Sequence, residues 1–110
     1  MDAREYVQKL VDQGHAAQKI FETYSQEQVD TAVRAIGKTI YDHAEELAAM
    51  AVEESGMGKY EDKIAKNRNK TRNCWYKLKG VKSRGIINYI EDEALVEIAK
   101  PIGVIAALCP

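Results

Sequence analysis

Apolar positions recur every three or four residues as far as Leu78, and past Gly85 that period is lost. In the first stretch Val7, Leu10, Val11, Gly14, Ala17 and Phe21 fall on one helical face. Asp2 followed by Glu5 is a capping-box pattern, so a helix is predicted from there to near Tyr24. Ser25 with Gln28 repeats the box, and Tyr24 and Val29 stand where a hydrophobic staple would close. The stripe then runs Val29, Val33, Ile36, Ile40, Ala44, Leu47, Ala51. Asp42 with Glu45 repeats the capping signature inside it, which predicts a break and two helices, roughly 26–41 and 43–54. Gly56 is placed to end the second with a left-handed cap.

A fourth helix is predicted over 60–79, with Tyr60, Ile64, Thr71, Trp75 and Leu78 near one face. Its acids, Glu61 and Asp62, stand in the first turn and its later turns are basic, as the helix dipole favours. Gly80 and Gly85 bracket a loop. GIINYI, from Gly85, is rich in β-branched and aromatic residues and reads as a strand. Residues 91–93 make a turn, and Ala94 to Lys100 reads as a half-exposed strand. Ile102 to Leu108 is a continuous apolar run, the pattern of a strand buried on both faces. Such a strand needs neighbours and covering helices, and these 110 residues offer little beyond a hairpin. The chain is therefore expected to be part of something larger, as a piece of a longer protein or completed by other chains.

Charge sharpens this picture locally. The net charge is −1, so no global field points to nucleic acid or to a membrane. Residues 1–58 carry 5 basic and 11 acidic side chains, residues 59–84 carry 10 and 2, and residues 85–110 carry 1 and 4. The basic stretch, with Tyr60, Trp75 and Tyr76, has the makings of an anion-binding surface, although a solvated helix face is the commoner meaning of such a run. Gly56-Met57-Gly58-Lys59 resembles part of a phosphate loop. It lacks the earlier glycine, the following Ser or Thr and the preceding strand, and it reads as a helix–turn–helix.

Cys74 and Cys109 make no disulfide framework, and no spacing with His15 or His43 suggests zinc, so no metal is expected. Both thiols read as reduced, which fits a cytoplasmic location. Cys109, closing an apolar run, reads as a packed core thiol rather than a nucleophile. The N-terminus lacks the basic and apolar regions of a signal peptide. No apolar run approaches bilayer length. Residue chemistry alone leaves no active site in view.

Several blocks resemble the N-terminal region of CoA-acylating aldehyde dehydrogenases. They are Ala16-Ala17-Gln18; Tyr24 to Asp30 (YSQEQVD); Ala51 to Gly58 (AVEESGMG); Tyr60 to Lys63 (YEDK) with Lys66-Asn67; and Ile98 to Ile105 (IAKPIGVI), with Pro110 closing the match. The block through Gly56 and Lys63 is characteristic of the acylating branch, and the one around Pro101 is shared across the wider superfamily. Within that branch the sequence looks most like succinate-semialdehyde dehydrogenases that form succinyl-CoA, and next like the aldehyde half of bifunctional aldehyde–alcohol dehydrogenases, which act on acetaldehyde.

The resemblance implies an α/β protein with a Rossmann-type NAD domain, of which this chain is the N-terminal part. Residues 1–84 would be its helical region, and 85–110 a β-arm plus the first strand of the cofactor-binding domain. It implies an aldehyde substrate, NAD or NADP, and coenzyme A as co-substrate. A cysteine thiolate attacks the aldehyde, hydride passes to the nicotinamide, and the acyl group passes to coenzyme A. The oxyanion Asn of that reaction lies beyond the proline matched by Pro110 and the nucleophile further still. No catalytic residue is expected here, and the chain alone is expected to be inactive. Leu108, Cys109 and Pro110 are implied at the cofactor, at the carboxyl end of a strand. Residues near 85–101 imply a homo-oligomer; neither nucleic acid nor membrane is implied. The competing reading, from the residues alone, is a small helical module that binds an anionic partner.

Overall fold

A computed structural model describes residues 2–109. Its elements are α1 (Ala3–Phe21), α2 (Gln26–Asp42), α3 (Ala44–Ser55), α4 (Tyr60–Leu78), β1 (Gly85–Ile90) and β2 (Leu95–Ala99). The four helices and both hairpin strands lie within three residues of their predicted bounds. The boundaries follow from local chemistry. At the start of α1 the Glu5 carboxylate accepts the Asp2 backbone N–H at 3.4 Å. The predicted break near Asp42 is real: His43 separates α2 from α3, and its Nδ1–H donates to the Thr39 carbonyl at 2.9 Å. Gly56 ends α3 at φ 63°, where a side chain would be strained, and its N–H returns to the Val52 carbonyl.

Two compact units are formed. One holds residues 27–81, and the other holds residues 2–26 with 82–109. In the first, α3 packs on α4. Ala44 and Ala48, one turn apart, are fully buried, and their small side chains let the helix axes approach closely. On α4 the half-buried positions Ile64, Asn67, Arg68, Thr71 and Trp75 fall along one helical stripe. Asn67, a polar residue in that stripe, donates its side-chain amide to the Ala44 carbonyl at 3.2 Å. Arg68 reaches Glu45 at 2.8 Å, an exposed pair of small energetic value.

In the second unit β1 and β2 pair antiparallel, with Gly85 opposite Ala99 and Ile90 opposite Leu95. Ile87 is the extra residue of a bulge between Ile86 and Asn88. The turn is a single 3-10 stretch over Glu91–Glu93, closed by Ala94 at φ 53°. Gln26 clasps Ser83 twice, once through each side chain and once through the Ser83 backbone N–H, both at 2.9 Å.

The segment predicted as a buried strand, 102–108, has no regular secondary structure. Ile102 is 90% and Leu108 101% exposed. A strand needs ladder partners on its edges, and no third strand exists among the described residues. Cys109, expected to be packed, is exposed for the same reason. β2, expected to be half exposed, is open along nearly its whole length.

Candidate functional site

The residues implied at the cofactor lie at the end of this uncovered segment. It is anchored by close packing onto α1: a methyl of Val104 lies 2.9 Å from where a side chain at Gly14 would begin, so only glycine admits that approach. Ala17, Phe21 and Tyr24 line the same contact with Gly103, Val104 and Ile105. Beyond it Leu108 and Cys109 stand exposed, and Pro110 lies outside the described residues. Leu108 and Cys109 offer backbone N–H and carbonyl groups and a thiol. They bring no charged side chain and no glycine-rich turn at a helix start, so by themselves they do not make a nucleotide site.

Gly56, Met57 and Gly58 form the link between α3 and α4, as their sequence predicts. Gly56 is the left-handed cap, and Gly58, at φ 80°, has the Lys63 side chain folded against it. The Ser55 hydroxyl accepts the Met57 N–H at 3.2 Å. The thiol of Cys74 is exposed on α4. Among the described residues no group of His, Cys, Asp or Glu is arranged to hold a metal ion, and no helix is long and apolar enough to cross a membrane.

The structure also assembles something that the sequence did not show. α2 and α4 border an open groove of about 390 Å³. Arg34, Lys38 and Tyr41 face it from α2, and Arg72, Trp75 and Tyr76 from α4. The signal was present in the spacing: 34, 38 and 41, and 72, 75 and 76, are each helical neighbours on one face. Tyr60, grouped with Trp75 and Tyr76 on sequence, does not line this groove.

Comparison with known proteins bears on the whole chain. No family model matches it. The chain is 49% identical over 104 residues to the succinate-semialdehyde dehydrogenase (acetylating) of Clostridium kluyveri, a match covering 94% of this chain and 23% of that protein. It is 38% identical over 106 residues to the sulfoacetaldehyde dehydrogenase (acylating) of Bilophila wadsworthia, again covering 94% and 23%. Among solved structures, the acetylating aldehyde dehydrogenase of Geobacillus thermoglucosidasius superposes with a TM-score of 0.85 at 38% identity, over 90% of this chain and 22% of that one. The chain is homologous to the acylating aldehyde dehydrogenases. It spans less than a quarter of the length of these relatives. The acylating aldehyde dehydrogenase resemblance carried by the 51–63 and 98–105 blocks therefore holds over nearly the whole chain, in sequence and in fold.

Proposed function

We propose that this chain is the N-terminal part of an NAD(P)-dependent, CoA-acylating aldehyde dehydrogenase, with succinate semialdehyde as its aldehyde. The observation that carries the reading is the 49% identity to the Clostridium kluyveri enzyme, sustained over 94% of the chain. The uncovered apolar surface supports it. Val7, Leu10 and Phe21 on α1, Ile36 on α2 and the run from Ile102 to Leu108 all need covering that the described residues do not provide.

In this reading residues 1–84 are the helical region, and 85–110 supply an arm and the first strand of the cofactor-binding domain. Leu108, Cys109 and Pro110 border the nicotinamide cofactor through their backbone. The hairpin, with both edges open, pairs with another subunit in a homo-oligomer, and the enzyme is cytoplasmic. The cofactor supplies hydride acceptance; this chain's share is to hold one edge of its site. Neither Cys74 nor Cys109 is the nucleophile.

The test is an intact mass and an assay of the protein purified from its native source. NAD and NADP reduction is followed with succinate semialdehyde, acetaldehyde and sulfoacetaldehyde, with and without coenzyme A. CoA-dependent reduction, fastest with succinate semialdehyde, is expected from a polypeptide several times the 12.3 kDa of this chain. Faster turnover of another aldehyde overturns the substrate. A 12.3 kDa protein without activity overturns the enzyme.

A further inference from the structure

We propose that the α2/α4 groove is a binding site for a purine nucleoside diphosphate group, separate from residues 108–110. Two kinds of chemistry meet there. Arg34, Lys38 and Arg72 bring cationic donors from two helices, and Tyr41, Trp75 and Tyr76 bring three aromatic rings. Guanidinium groups grip phosphate in pairs of parallel hydrogen bonds, and aromatic faces stack on bases. The groove's volume, about 390 Å³, falls in the range of small-ligand sites.

The division of labour can be read from the contacts. Lys38 is already held by Asp42, one turn along α2, so it shapes the rim more than it binds. Arg72 donates one N–H to the Asn69 side chain at 3.1 Å, which fixes its direction and leaves four other donors. Arg34 and Arg72 are therefore the phosphate ligands, and Trp75, half-buried, is the stacking platform. Asp42 opposes a polyanion, which limits the phosphate to a short one.

Gly37 leaves the floor of the groove open. It stands inside α2, where glycine weakens a helix, and it lines the groove. Nothing lies within 4 Å of where its side chain would be. Packing within the described residues does not require a glycine there, and a side chain added at 37 would enter the open groove.

Trp75 is the one tryptophan of the chain, so its emission reports the groove directly. ADP is titrated into the 110-residue chain, in parallel with adenosine, pyrophosphate and a short single-stranded oligonucleotide. Saturable quenching by ADP below about 1 mM is expected, with adenosine weaker for lack of phosphate and pyrophosphate giving little quenching for lack of a ring. Arg34→Gln and Arg72→Gln should each weaken ADP about tenfold, the loss of one charge-assisted contact. Arg68→Gln, on the same helix but outside the groove and bonded to Glu45, should change it less than twofold. Gly37→Ala guards against loss by unfolding: it should hold or raise the helical circular dichroism while weakening ADP severalfold. Absence of saturable ADP quenching overturns the proposal, as does a Gly37→Ala chain that is helical and binds normally. An oligonucleotide that binds tightly where ADP does not assigns the groove to nucleic acid instead. None of these outcomes depends on dehydrogenase activity.

Discussion

The α3–α4 pair and the β1–β2 hairpin with its following tail are both built on good local grammar, and only the first is covered. In the helix pair every backbone group inside the helices is satisfied within its own helix, so the side chains are free to close on a neighbour. Ala44 and Ala48 do so completely, with Asn67 tying the two helices at the Ala44 carbonyl. The hairpin satisfies one edge of each strand and leaves the other edge and both faces open. The difference teaches that a helix closes its backbone on itself and needs only side-chain contacts, whereas a strand edge stays open unless another strand meets it.

The largest effect is expected from overfilling the helix contact. Ala48→Leu puts three carbons where no space exists and should lower stability by about 2 kcal/mol, read as a shifted midpoint in urea unfolding followed by circular dichroism. An unchanged midpoint would break the comparison, because the pair would then be no better packed than the hairpin. Asn67→Ala is a finer probe. It removes one part-buried hydrogen bond while the Ala44 carbonyl keeps its helical donor, so a loss of about 1 kcal/mol is expected in the same experiment. The smallest effect is expected in the tail. Ile105, 71% exposed, should accept aspartate within about 0.5 kcal/mol in the 110-residue chain. In the longer enzyme proposed above, the run would become a strand between neighbours, and there the same Ile105→Asp change should be severely destabilising. Equal, small losses in both would show that the tail never enters a sheet.

Much of the local structure was legible in the sequence. The capping pair at Asp2 marked a helix start and Gly56 a left-handed cap, while Asp42 marked the break but not the cap, since His43 takes that position and the Asp42 carboxylate pairs with Lys38. The loss of three-to-four periodicity after Gly85 marked the hairpin. The family resemblance was legible in the blocks around Gly56 and Pro101. The groove was not, because its cations are split between α2 and α4, and only the fold sets 34 and 72 along one groove. The role of Asn67 was likewise unreadable until its partner, 23 residues away, was in place.

The sequence by itself determined where helices start and stop, because caps, dipoles and periodic faces act within a turn or two. It also determined that Ile102 to Leu108 is apolar enough for a buried strand. Whether that run is one was decided by tertiary structure. A strand exists only through hydrogen bonds to other strands, and among residues 2–109 the run has none to bond with. The exposure of Cys109 and the burial of Ala44 and Ala48 were settled the same way, by which surfaces a distant segment comes to cover.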